Sequence, residues 1–441
     1  MTKVLKIILT LLITSFYFFP VDFVFLPTNT KNLLGAIGFV LAFIELIRQR
    51  EFFIPRELII LLLFSSMVSI MSMVSVTINQ TPDMTYASYI RSAVIWLSGA
   101  FSVCYLIRWM HGRIDVPLVV NYLIGACLFQ CTSAMLIHYI PAVRGFVDSY
   151  VDQGQDILKD MGRLYGIGAS LDVAGSRFAA VLVAIAFFLV SSPKRISIGV
   201  SVLYTLSFVV ITIVGSMIAR TTIVGAVIGL AWIMLVHLIL PNDNNENGID
   251  LIKKWFAVIS TLSVLIVISI AIYNTLPSVQ ELFRFGFEGF FSWIETGEWQ
   301  TDSTQKLQSM VVWPEELRTW IIGDGYFANS RNDPNYLGDA TDQGFYMGTD
   351  IGYLRFIFYF GVLGLIWIIA VVAYSAYVCA KYNKAYTWIF VMALIVGLTV
   401  WTKVSTDIFL FFCLFLCTAA IQGLSAPSKE ETPTPETTET P

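Results

Sequence analysis

Along this chain, apolar runs of about 18 residues or more recur, parted by short polar connections and by two long ones. The runs lie at 5–25, 31–47, 57–77, 89–107, 117–138, 175–192, 196–214, 218–240, 255–275, 350–380, 385–402 and 405–423. Each is long enough to cross a hydrocarbon core of about 30 Å, so the pattern predicts an all-α, polytopic integral membrane protein with about 12 transmembrane helices. The tenth run is long enough to tilt or protrude. The first run follows Lys3 and Lys6 as a signal peptide's apolar core would, yet it ends in Phe, Tyr and Pro rather than small residues, so it reads as a retained span.

Charge then orients the spans. The connections "IRQREFFIPRE", "RWMHGR", "SSPKR", "LIKKW" and "KYNK" are basic, whereas "TINQTPDMTY" and "VDFVFLPTNT" carry no lysine or arginine. Basic short loops stay inside, so both termini are placed in the cytoplasm. The resulting order is helices 1–5 in 1–138, a first long extracytoplasmic loop in 139–174, helices 6–9 in 175–275, a second long extracytoplasmic loop in 276–349, and helices 10–12 in 350–424. Residues 425–441 are Pro, Thr and Glu without apolar periodicity and read as a disordered cytoplasmic tail.

Composition agrees with the pattern: 56% of residues are hydrophobic, 13% are charged and the mean hydropathy is +0.73. The six cysteines, Cys104, Cys127, Cys131, Cys379, Cys413 and Cys417, all fall in or beside apolar spans with no CxxC spacing, so they read as small core hydrophobes. No phosphate-cradling glycine loop, HExxH or EF-hand pattern occurs, which argues against a nucleotide-driven cytoplasmic machine and for chemistry or binding at the outer face.

The second loop holds eleven acidic and four basic residues and four tryptophans, Trp293, Trp299, Trp313 and Trp320. Tryptophan faces suit stacking on sugar rings, and they equally suit an interfacial aromatic belt. Arginines are the more informative feature. Arg91, Arg177 and Arg220 open spans and Arg355 lies a turn inside one, in "GTDIGYLRFIFYFGVLGLIW", where Asp350 precedes it by five residues. Charge at the edge of hydrocarbon is costly, so such residues point to function unless they snorkel to headgroups.

The stretches "GRLYGIGASLDVAGSRFAA" (162–180), "VGSMIARTTIVGAVIGL" (214–230), "WIIGDGYF" (320–327) and "TDIGYLRFIFYFGVLGL" (349–365) resemble, in order and on one side, landmarks of Wzy-type O-antigen and capsular polysaccharide repeat-unit polymerases, relatives of the O-antigen ligases. The resemblance implies a GT-C-like helical fold in a bacterial cytoplasmic (inner) membrane. It also implies a substrate, an undecaprenyl-pyrophosphate-linked oligosaccharide, whose growing glycan passes to the next lipid-linked repeat unit. A flippase and a chain-length regulator of the same pathway would be partners. Ligases of the superfamily usually carry a histidine before the Tyr-Leu pair; here the region reads Asp350, Ile351, Gly352, Tyr353, Leu354, and the second loop has no histidine, which favours a polymerase.

On that resemblance, Arg163, Arg177, Arg220 and Arg355 would hold the pyrophosphate, because a planar guanidinium pairs with two phosphate oxygens. Such an arrangement needs no metal and no cofactor, and the outer loops offer no compact DxD. Asp350 would be either the general base that takes the acceptor hydroxyl's proton or the partner that orients Arg355, with Asp339, Asp342 and Asp324 as further acids. Asp324, Tyr326, Trp320 and Tyr353 are the candidate sugar contacts. Two other classes stay open: a lipid-linked oligosaccharide flippase, for which internal repeats and broken helices would be expected, and a scaffold or chain-length regulator, for which a coiled-coil external domain would be expected.

Overall fold

The computed structural model describes residues 3–49, 55–154, 158, 163–194, 196–238, 277–328 and 344–423, with scattered positions between 255 and 275. It is built from helices: α1 Lys3–Phe18, α2 Thr30–Gln49, α3 Arg56–Asn79, α4 Tyr89–His111, α5 Val116–Tyr139, α6 Pro141–Tyr150, α7 Leu171–Ser191, α8 Ile198–Ile218 and α9 Thr222–Leu238. The second loop contributes α10 Pro277–Gly286, α11 Glu288–Thr296, α12 Asp302–Ser309 and α13 Leu317–Ile322, and α14 Gly352–Tyr382, α15 Thr387–Val400 and α16 Phe409–Gly423 complete the bundle. Strand pairing among the described residues is slight, chiefly a short antiparallel ribbon in which Asp22 faces Asp152 and Phe23 faces Val151.

Seven of the described helices, α2, α3, α4, α5, α7, α8 and α14, are long and apolar enough to cross a membrane, so the chain is an all-α membrane protein. Shorter apolar helices cover Thr222–Val236, Lys384–Val400 and Phe409–Thr418. Several boundaries differ from those the hydropathy pattern predicts. The first helix stops at Phe18, just before Pro20, whose ring removes a backbone donor. The sixth expected span begins at Leu171 instead of 175, which moves Arg177 from the helix mouth to nearly two turns inside it. The eighth begins at Thr222, leaving Arg220 in the turn between α8 and α9.

Helix α7 is the axis of the bundle, with 89% of its apolar window buried. Its small residues allow this, since a bilayer offers no hydrophobic drive between helices and close packing must supply the attraction. At Gly225 of α9, for example, a Cβ would lie 2.3 Å from the Ala179 backbone. The six cysteines are all buried and unpaired, as small core hydrophobes should be.

Six connections meet at one end of the bundle. Val24 N donates to Tyr150 O at 3.0 Å, and Thr81 Oγ1 to Gly325 O at 2.8 Å. Arg220 Nε donates to Phe285 O at 3.0 Å, and Tyr353 N to Trp401 O at 3.1 Å. At the opposite end, Lys381 pairs with Glu57 at 2.6 Å and Trp232 packs on Trp388 at 5.0 Å. The first loop has its own small core of Val21, Ile137, Val147, Val151, Leu158 and Tyr165.

The long tenth run is a broken helix. Phe360 and Gly361 leave helical geometry, with Gly361 at φ +68°. Carbonyls at such a break cannot stay unpaired in hydrocarbon without a cost of several kcal/mol. Here the turn at Gly323-Asp324-Gly325 satisfies them: Asp324 N donates to Phe358 O at 2.6 Å and Gly325 N to Tyr359 O at 3.1 Å, while Ser75 Oγ donates to Tyr359 O at 2.7 Å. A Cβ at Gly361 would lie 2.1 Å from Ile321 O. Gly361→Ala is therefore expected to destabilise the protein by about 2 kcal/mol or more, combining clash with left-handed strain. Thermal unfolding of the detergent-purified protein measures this, with Gly199→Ala as control, since nothing lies within 4 Å of a Cβ there. Equal midpoints for the two variants would show that the break does not depend on Gly361.

Candidate functional site

The end where the six connections meet also gathers the charges. Arg355 is on the first turn of α14, its side chain 10% exposed, and its Nη1 donates to Asp350 Oδ1 at 3.2 Å. Nη2 donates to Phe327 O at 3.2 Å. The guanidinium lies over the rings of Phe327 at 3.7 Å and Phe345 at 4.6 Å, an arrangement that favours a delocalised cation over a point charge. Its Nε is buried without a hydrogen-bond partner among the described residues.

Asp350 lies just ahead of the helix, with 24% of its side chain exposed. Burial pushes its carboxyl up to about 6, against the opposing pull of Arg355 and Lys403, while Asp172 adds to the rise. A carboxylate so placed changes protonation near neutral pH, as a general base must.

Arg220 forms a second centre. Its Nη1 reaches Glu288 at 2.6 Å and Ser303 Oγ at 2.8 Å, and its plane covers the Phe285 ring at 4.3 Å. Arg163 sits over the same ring at 5.2 Å. Burial lowers the Arg220 pKa, and Glu288 opposes that shift. The carboxylate of Asp172 acts electrostatically on both Arg220 and Asp350, and it accepts a hydrogen bond from Lys403 Nζ at 3.0 Å, so the Asp172–Lys403 pair joins the two centres.

Arg177 belongs to a third group. It is 6% exposed, lies over the Phe19 ring at 5.9 Å, and its Nε is buried without a partner among the described residues. Its electrostatic neighbour is Asp407, which also faces Lys31 and whose Oδ1 accepts from Phe409 N at 2.8 Å. Arg91, by contrast, is exposed on α4, as a snorkelling residue would be. The four arginines expected to share one pyrophosphate thus divide between three neighbouring environments.

Comparison with family models, curated proteins and solved structures gave no match.

Of the expected sugar contacts, Asp324 and Tyr326 are buried and Trp320 and Tyr353 partly so. Asp324 is 8% exposed; its Oδ1 accepts from Thr319 Oγ1 at 2.6 Å and its Oδ2 from Tyr346 OH at 3.2 Å, and burial raises its pKa. Tyr326 is 1% exposed and stacked on Tyr346 at 5.2 Å. Tyr353 donates its hydroxyl to Leu398 O at 2.8 Å, and Trp320 donates Nε1 to Pro314 O at 2.9 Å while stacking on Trp313. Tyr326 packs with Leu354 and Phe358 of α14, Asp324 and Trp320 bond within the second loop, and Tyr353 ties α14 to α15. Among the described residues the loop also offers a polar recess lined by Arg284, Glu288, Ser292, Thr296, Gln300 and Asp302 among others. Asp339 and Asp342 lie outside the described residues.

The hydropathy pattern also passed over Asp172, Lys403, Asp407 and Lys31. A signal was present: Lys403 stands between two apolar runs on a connection assigned to the outer face, where a lysine runs against the positive-inside tendency and calls for a partner, and Asp407 is an acid at the start of the second run.

Proposed function

We propose that this protein is a metal-independent glycan polymerase of the outer face of a bacterial cytoplasmic membrane, with about twelve crossings, a GT-C-like arrangement and both termini in the cytoplasm. It moves a growing glycan from undecaprenyl pyrophosphate to the next lipid-linked repeat unit. The observation that carries the reading is the Asp350–Arg355 pair, an acid that titrates near neutrality held 3.2 Å from a largely buried guanidinium at the lip of an apolar helix. Breaking a sugar to pyrophosphate bond leaves negative charge on phosphate oxygens, and guanidinium groups where water is scarce stabilise it well. Arg355, Arg220 and Arg163 supply the offsetting positive charge at the membrane surface, where the lipid tail stays in hydrocarbon. Asp350 takes the proton of the acceptor hydroxyl as the new glycosidic bond forms and the lipid pyrophosphate departs.

The broken helix α14 favours attention to a flippase as the second reading, because interrupted helices are common in transporters. The glycan made by cells lacking the protein separates the two. A polymerase predicts loss of polymer with single repeat units still displayed, and a flippase predicts loss of every surface form. Gln308→Cys in the second loop should react with an impermeant thiol reagent in intact cells, and protection there with reaction of a cysteine in 243–250 would reverse the orientation and end this mechanism.

A further inference from the structure

Helix α11 carries an apolar face that the rest of the described protein leaves uncovered. Phe290, Trp293 and Ile294 follow the i, i+3, i+4 spacing of one helical face, and Ile294 is 76% exposed. Trp299 continues this face, its ring edge-on to Phe290 at 4.8 Å and itself exposed.

The opposite side is polar and its charges are paired. Glu288 is bound by Arg220 at 2.6 Å and Glu295 by Arg284, so the helix turns both carboxylates towards the protein. The face left over offers two indole rings and two apolar side chains without a formal charge, and so would not be repelled by an anionic surface.

The level of this helix is set by its neighbour in the chain. The ring of Phe291 stacks on Tyr273 at 5.7 Å and 16°, and Phe283 meets the same ring edge-on at 6.1 Å. Tyr273 stands at the end of the apolar segment 255–275, of whose described side chains Phe256, Ile259, Val267 and Ile270 are exposed. Large apolar side chains left exposed on a span of a membrane protein face lipid, and Tyr273 lies beyond them at the segment's outer end. Through Phe291, α11 is therefore held beside the outer end of that segment.

We infer that α11 lies in the lipid interface, with Phe290, Trp293, Ile294 and Trp299 seated among the phospholipid headgroups and upper acyl chains. Amphipathic helices with tryptophan and aliphatic residues on one face bind there through buried apolar area, and indoles favour that depth. Because Glu288 ties α11 to Arg220, the seated helix also holds the α8–α9 turn at headgroup level. The inference is independent of the proposed chemistry.

The test uses the full chain in nanodiscs of phosphatidylcholine and phosphatidylglycerol, with Ile294→Cys and, on polar α12, Gln308→Cys, each labelled with a small environment-sensitive fluorophore. The native cysteines are buried and the two replaced side chains exposed, so labelling is selective and folding is not at stake. At 294, lipids spin-labelled near the headgroup should quench roughly twofold or more, and aqueous iodide should quench weakly; at 308 the order should invert. Iodide quenching at 294 equal to that at 308, without lipid quenching, would overturn the inference. Protection at 294 from both quenchers would also overturn it, by showing a protein surface, such as a second copy of this chain, in the place assigned to lipid.

Discussion

Arg355→Lys is expected to lose glycan-transfer activity by about 10²-fold or more while the protein inserts at normal abundance. The reason lies in geometry as well as charge. Arg355 uses separate nitrogens for Asp350 and for Phe327 O, both at 3.2 Å, and its plane lies over Phe327 at 3.7 Å and Phe345 at 4.6 Å. The guanidinium has five donors, so it can keep these two bonds and still turn a pair towards phosphate oxygens. An ammonium has three donors on a flexible stem and no plane to stack, so it cannot hold the protein contacts and a bidentate ligand contact at once. Arg220→Lys should fail similarly, since Arg220 spans Phe285 O, Ser303 and Glu288. The assay is purified protein with lipid-linked repeat units, scored as a ladder of polymer lengths, with a thermal midpoint for each variant. Full activity in both lysine variants would reduce these arginines to structural cations.

For Asp350 the informative variable is pH. Its carboxyl is pushed up to about 6, mainly by burial, so as a base it would be protonated and idle below that pH and active above it. The wild-type rate should accordingly rise through a midpoint near 6 as pH increases. Asp350→Asn keeps the shape of the side chain and removes its proton affinity. With Asp350 as base, the chemical step should fall by roughly 10²-fold or more, binding of lipid-linked substrate should persist, and the acidic limb of the profile should vanish. With Asp350 only orienting Arg355, the amide oxygen still accepts the 3.2 Å hydrogen bond, so the loss should be small and the limb should remain. A variant with near-normal turnover and an unchanged profile would pass the base role to another acid, and Asp172, joined to Lys403 beside Asp350, then stands next to Asp339 and Asp342 for testing.

Much of the frame was legible from hydropathy alone. A run such as 57–77 has to be a helix in hydrocarbon, because no other single-segment backbone pairs all of its own polar groups there, and α3 spans Arg56–Asn79. The alternation of short connections was legible for the same reason, since each crossing reverses the end at which the next loop appears. Arg355 and Asp350 could be paired from sequence because five residues around the start of a helix leave few ways to keep them apart.

Tertiary structure decided what sequence spacing could not. The break at Phe360–Gly361 looks in sequence like a glycine in an apolar helix, and it becomes a break because α13 and the Gly323-Asp324-Gly325 turn press on it from forty residues away. Asp324, Tyr326 and Tyr353 resembled ligand contacts because polar and aromatic residues beside glycines suit either an open site or a buried tie, and only the fold shows that their partners are Thr319, Tyr346 and Leu398 O. Arginine spacing likewise says nothing about which guanidinium groups converge: Arg163 and Arg220, far apart in the chain, share Phe285, whereas Arg177 is carried by α7 to Asp407. A one-dimensional pattern determines which segments must leave water, since that depends on local transfer energy, and it leaves open which charged groups meet, since that depends on how separate helices pack.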